Sequence, residues 1–137
     1  MRKFSAILVL VIALSVVLVA CGGGGSSSSG SASTSISATL TDFKFDPAEW
    51  TVPAGQSITL SLTNKGSVDH DWALMSSPVT PPLADENAGP QIAKFKVAAG
   101  QTQSFTFTAP SKAGDYEVVC TIPGHLDAGM KGTLHVK

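Results

Sequence analysis

Two seven-residue stretches, QSITLSL at 56–62 and QTQSFTF at 101–107, alternate apolar and polar residues with period two. Ile58, Leu60 and Leu62 share one face of the first, and Phe105 and Phe107 share one face of the second. Successive side chains of an extended chain point to opposite sides, so this pattern makes strands with one face in a core. A helix would scatter the same residues around its axis. Further candidate strands lie near 36–42, 49–52, 68–75, 91–97, 114–120 and 131–136. Sustained helical periodicity is missing beyond residue 36, which leaves room for one short helical turn at 83–89.

A matching turn precedes each alternating strand: Val52-Pro53-Ala54-Gly55-Gln56 and Val97-Ala98-Ala99-Gly100-Gln101. Gly55 and Gly100 are expected to take the positive φ that such turns require. About eight short strands with frequent turns predict an all-β fold, a Greek-key antiparallel β-sandwich over residues 36–137. Tyr116, just after Gly114-Asp115, suits a tyrosine corner as well as it suits an ordinary core position. Segment 76–90, with four prolines and no alternation, reads as a long surface connection.

The N-terminus has the layout of an export signal. Arg2 and Lys3 precede an almost wholly apolar run from Phe4 to Ala20, a little short for a membrane-spanning helix. An uncleaved anchor helix is the alternative. Leu18-Val19-Ala20-Cys21 resembles the cleavage box of bacterial lipoproteins, which implies a signal peptide over 1–20 and a lipid on Cys21. Residues 21–35 then form a Gly/Ser-rich tether that cannot bury a core. The expected location is the outer face of the cytoplasmic membrane, held by the N-terminal lipid.

The formal net charge is −1, and loss of Arg2 and Lys3 with a signal leaves −3, so there is no basic footprint for nucleic acid. About 100 residues follow the tether, enough for one domain with a core. With Cys21 lipidated, Cys120 is the single thiol of the folded part. An unpaired cysteine in an exported domain is either a ligating or reactive thiol or a small buried hydrophobe.

The segment CTIPGHLDAGMKG, Cys120 to Gly132, sets a thiol, an imidazole and a thioether at five-residue spacing on a turn between strands. Alternation through Val68, His70, Trp72 and Leu74 turns a second imidazole inward. His135 lies between inward Leu134 and Val136 and is expected to face solvent, while Met75 falls on the face opposite His70. Two imidazoles and one thiolate with a weak axial thioether are the donor set of blue-copper electron-transfer sites. A histidine on an apolar face is by itself more often a hydrogen-bonded core residue; the combination is what points to metal.

These residues resemble the cupredoxins. CTIPGHLDAGMKGTLHV is similar to the family's copper loop, with spacing nearest to auracyanin-like and azurin-like members, and His70 in VDHDW follows an Asn64-Lys65-Gly66 turn as the family's first ligand does. The resemblance implies copper held by His70, Cys120, His125 and Met130. Asp71 stands where the family commonly has Asn. Its backbone N–H is placed to donate to the Cys120 sulfur, and its carboxylate to accept from Thr121. The carbonyl of residue 69 is left open as a distant further contact.

The implied function is one-electron transfer between redox proteins or membrane electron-transfer complexes, by a monomer docking through Pro123, Leu126 and Ala128 beside His125. Gly124 would lie in that patch and Asp127 at its rim. No nucleophile–base pair or open ligand position suggests an enzyme. A copper chaperone or storage module, and a metal-free immunoglobulin-like adhesion module, are the alternatives. The first usually carries several exposed methionines or histidines, and the second leaves Cys120 without a role.

Overall fold

The computed structural model describes residues 31–137. The expected signal peptide over 1–20, the expected lipidation site Cys21 and most of the expected tether lie outside the described residues. The tether's last residues belong to the domain: the Ser33 N–H donates to the Thr51 carbonyl, and the Thr34 carbonyl accepts from Thr59.

Among the described residues, nine strands make two sheets. They are β1 (Ser35–Thr41), β2 (Lys44–Asp46), β3 (Glu49–Val52), β4 (Ser57–Asn64), β5 (His70–Met75), β6 (Gln91–Val97), β7 (Thr102–Thr108), β8 (Gly114–Val119) and β9 (Lys131–Val136). One sheet has the order β2-β1-β4-β7 and the other β3-β9-β8-β5-β6. The expected sandwich is present, but it is not wholly antiparallel. β1 pairs with β4, and β3 with β9, in parallel. Alternation fixes which face a residue takes, not which strand lies beside it, so pairing direction was not readable.

The apolar faces meet as the period-two pattern requires. Ile58, Leu60 and Leu62 are fully buried, and β7 lays Phe107 opposite Ile58 and Phe105 opposite Leu60. Trp72 occupies the middle, 5.7 Å from Trp50 and 5.4 Å from Phe107 between ring centroids. Such aromatic pairs add about 0.5–1.5 kcal/mol each beyond their burial. Gly55 and Gly100 have φ of 67° and 74°, the left-handed region expected of the two matching turns. The Tyr116 hydroxyl donates to the Lys112 carbonyl at 2.8 Å, which is the tyrosine corner.

Segment 76–90 forms no helix; a single turn closes within 83–89, where the Ala88 N–H donates to the Asp85 carbonyl at 3.0 Å. It closes on itself where the Ser76 N–H donates to the Pro90 carbonyl, and it lies over the outer face of β5. There Val79 and Leu83 pack against Ala73, Met75, Val119 and Leu126. Every residue of β5 is therefore buried, one face in the sandwich and the other beneath this segment. The strand that begins with His70 is held from both sides.

Candidate metal centre

β5 and β8 are antiparallel neighbours with Ala73 opposite Val119 and Leu74 opposite Val118. Continuing that register sets Asp71 against Thr121, so the first residues of β5 face the residues just beyond β8. His70, Cys120 and His125 converge there, all buried. His70 Nδ1 lies 3.1 Å from His125 Nδ1 and 4.0 Å from Cys120 Sγ, and His125 Nδ1 lies 3.4 Å from Cys120 Sγ. A point about 2.1 Å from all three atoms falls inside that triangle, close to the 2.0–2.3 Å at which imidazole and thiolate hold a zinc-sized ion. The donor set fits a copper ion, which His70, Cys120 and His125 would hold.

The turn after Cys120 is fixed by its main chain. The His125 N–H donates to Ile122, Ala128 to Gly124, Gly129 to Leu126 and Met130 to His125, all at 2.9–3.0 Å. The Cys120 N–H donates to the Met130 carbonyl at 3.1 Å, which ties the two ends of the loop together. Met130 is fully buried in the same core cluster as Cys120. Its thioether would offer a further, weaker donor to the ion.

Asp71 and Thr121 join the two ligand-bearing segments. The Asp71 carboxylate accepts from the Thr121 N–H at 2.7 Å and from its hydroxyl at 2.6 Å, and the Asp71 N–H donates to Cys120 Sγ at 3.4 Å. Burial raises the Asp71 carboxyl above its usual range, against the pull of the two Thr121 bonds. Burial, then the Asp71 charge, push the Cys120 thiol up to about 12. Burial, then the neighbouring His70, lower His125, which favours the neutral imidazole whose lone pair a metal needs.

Contacts that the sequence did not reveal come from the β1–β2 turn, Asp42-Phe43. Asp42 Oδ1 lies 3.1 Å from His70 Nε2, and the Phe43 ring stands edge-on to His125 with centroids 5.1 Å apart. Asp42 reads as the end of a strand, and nothing local ties it to a histidine 28 positions on. Asn64 is a further addition: its Oδ1 accepts from the Gly66 N–H, and its amide donates to the carbonyls of Val68 and Val97. It thereby shapes the turn that delivers His70.

Two expectations need correction. Leu126 is not a surface residue. It is 5% exposed, turned under segment 76–90 to cover the outer face of β5 and β8, where Ala73, Met75 and Val119 need an apolar partner. Pro123, Gly124, Asp127 and Ala128 are exposed. Val68 is not inward either: β5 begins only at His70, and Val68 is 46% exposed where Asn64 captures its carbonyl. Met75 is buried on the face opposite His70, and the half-buried His135 side chain pairs outside the core with Asp115 at 2.7 Å.

Comparison with known proteins gives the same picture. The family described as copper binding proteins, plastocyanin/azurin family, matches residues 32–137. Auracyanin-A of Chloroflexus aurantiacus is 35% identical over 112 residues, covering 69% of this chain and 68% of its own. The copper-resistant cuproprotein CopI of Rubrivivax gelatinosus is 33% identical over 100 residues, covering 69% of this chain but only 60% of that longer protein. The reduced auracyanin of Roseiflexus castenholzii superposes with a TM-score of 0.65 at 30% identity, covering 78% of this chain and 99% of that one. With two imidazoles and a thiolate gathered at one end of a β-sandwich, the chain belongs to the plastocyanin/azurin family of copper-binding proteins.

Proposed function

We propose that the protein is a one-electron carrier, anchored through a lipid on Cys21 to the outer face of the cytoplasmic membrane and serving redox proteins or membrane electron-transfer complexes. The observation that carries this reading is the exposure of the candidate ligands. His70, Cys120 and Met130 are 0% exposed, and His125 is 8% exposed. Copper, when bound, supplies a Cu(II)/Cu(I) couple. The protein's part is to hold the donors still, because nuclear rearrangement adds to the barrier of electron transfer. His70 sits on a strand covered on both faces, and the main-chain bonds of the 120–130 loop fix the other three.

The His125 edge is then the natural exit for the electron. Pro123, Gly124 and Ala128 are exposed near it in the chain, and Phe43, 45% exposed, flanks the ring itself. That rim is small and apolar, suited to brief docking with little salt dependence.

Adding Cu(II) to purified residues 31–137 should give an intense visible thiolate-to-copper band and a reversible one-electron wave. A colourless protein would end this reading. Fractionation of wild type and Cys21→Ala tests the anchor: the variant should leave the membrane with its copper spectrum intact, and continued attachment would favour an uncleaved helix.

The likeness to a copper-resistant cuproprotein favours a second reading, copper sequestration outside the cell. The two are separated by rate. A carrier exchanges electrons with itself rapidly and keeps its copper against a chelator through many redox cycles, whereas a sequestering protein is judged by affinity and by copper tolerance in cells.

A further inference from the structure

We propose that Asp42 is a positioning residue of the copper site: its carboxylate holds the Nε2–H of His70, and so fixes both the tautomer and the aim of the ligating nitrogen. This rests on His70 being a ligand, as proposed above.

The contact runs between Asp42 Oδ1 and His70 Nε2 at 3.1 Å. A carboxylate only accepts, so Nε2 carries a proton, and in the neutral ring, the form that can ligate, Nδ1 then holds the lone pair. Nδ1 is the atom that faces His125 and Cys120. Metal-bound histidines characteristically give their second N–H to such an acceptor, which orients the ring and raises its basicity.

The carboxylate is itself held. The Ser67 hydroxyl donates to Oδ2 at 2.6 Å and the Ser67 N–H to Oδ1 at 3.0 Å. The Lys65 N–H donates to the Leu40 carbonyl, which locks this turn against the end of β1. Gly66 lies against the contact. A Cβ there would come within 2.5 Å of Asp42 Oδ1 and 2.6 Å of His70 Nε2, so no side chain fits beside the pair. Gly66 is not among the residues of positive φ; space, not backbone conformation, demands the glycine.

The turn carrying Asp42 is also unusual. Thr41 pairs with Lys44, so Asp42 and Phe43 are the whole of a two-residue hairpin loop, and Phe43 takes φ 69°. That region favours Gly or Asn, and an aromatic residue is uncommon there. The conformation sends consecutive side chains to two different imidazoles, Asp42 to His70 and Phe43 to His125. Strain retained beside a site is accounted for when the strained residue contacts that site.

The acceptor also carries a charge. A full negative charge on the ring opposite the metal favours Cu(II) over Cu(I), so Asp42 should lower the reduction potential. Asp42→Asn keeps an acceptor oxygen and removes the charge, while Asp42→Ala removes both. Gly66→Ala leaves both partners in place and wedges them apart.

The decisive experiment begins on copper-free protein, with long-range 1H–15N NMR of the histidine rings. Wild type and Asp42→Asn should show His70 protonated at Nε2 alone, while Asp42→Ala and Gly66→Ala should show mixed tautomers. Copper-loaded Asp42→Asn should keep the visible band with a raised potential. Asp42→Ala and Gly66→Ala should bind copper about 10–100-fold more weakly and shift the band. A single Nε2–H tautomer in Asp42→Ala, with wild-type affinity and potential, would overturn the proposal. Retained dispersion of the amide spectrum certifies that each variant is folded. A wild type that takes up no copper would instead sink the electron-carrier reading and leave the tautomer result to judge Asp42 alone.

Discussion

The Asp71 carboxylate closes on Thr121 at two points, N–H to Oδ1 at 2.7 Å and O–H to Oδ2 at 2.6 Å. The same residue's N–H donates to Cys120 Sγ. One buried acidic residue thus bridges the strand that starts at His70 and the loop that starts at Cys120. Asp71→Ala leaves two donors of Thr121 without acceptors in a buried site, and each such orphan costs about 1–3 kcal/mol. A loss of about 2–4 kcal/mol in denaturant unfolding is expected for the copper-free variant. Asp71→Asn keeps the backbone donor and one acceptor oxygen while removing a negative charge from beside the thiolate. Its reduction potential should rise; voltammetry that found it unchanged would mean the charge does not act on the metal.

Cys120 binds its proton tightly in the copper-free protein, with burial moving the thiol from 9.0 to about 12. Ligation requires the thiolate, so copper uptake near pH 8 should release about one proton from Cys120. Titration with Cu(II) in weakly buffered solution measures it, and Cys120→Ser should release none while keeping its β fold and losing the visible band. The raised value also sets a stability window. The neutral thiol's contribution is complete below about pH 9 and is lost as pH rises through about 12. Copper-free wild type should therefore lose denaturant resistance across that window more steeply than Cys120→Ser.

Met130 is buried and tied through its own backbone to both Cys120 and His125. Met130→Gln replaces a soft thioether with a harder amide oxygen of similar length, which favours Cu(II). Copper should still bind, with a lower potential. An unchanged or raised potential would remove Met130 from the axial position.

Leu126 is a core residue of the sheet's outer face rather than part of a docking rim. Leu126→Lys forces an unpaired ammonium against Ala73, Met75 and Val119 or expels segment 76–90, and either should cost about 3–5 kcal/mol. A variant as stable as wild type in thermal or urea unfolding would show that segment 76–90 does not cover this face in solution.

What was legible in the chain follows from what local pattern encodes. Ile58, Leu60 and Leu62 announced a half-buried strand because period two is a property of consecutive residues. The spacing of Cys120, His125 and Met130 was visible because one turn carries all three. β2 was missed because Lys44-Phe45-Asp46, with one buried side chain between two exposed ones, is too short to establish a period. Leu126 was misplaced because the cover over β5 comes from segment 76–90, whose prolines say where a strand ends and nothing about what the loop lies on. Asp42 was missed because its partner is set by how two distant turns meet, through Ser67 and Leu40. Long-range polar contacts leave no periodic trace.

Phe43 is where the docking face can be tested without disturbing the donors. Its ring is 45% exposed, stands edge-on to His125 and contributes no donor atom. Under the proposed docking, apolar contact at this rim would bring a partner close to the His125 edge, and a charge there would keep a hydration shell between the two proteins. Phe43→Lys should slow electron self-exchange, and exchange with a native partner, several-fold. Position 43 takes φ 69°, so the change also carries a backbone risk. Phe43→Asn is the control, since Asn accepts that conformation readily. It should slow exchange as well, because the apolar surface is gone, while the visible band and potential stay near wild type in both variants. NMR line broadening on mixtures of oxidised and reduced protein gives the rates. Wild-type rates in both variants would move the docking face away from the β1–β2 turn and leave Pro123 and Ala128 to carry it alone.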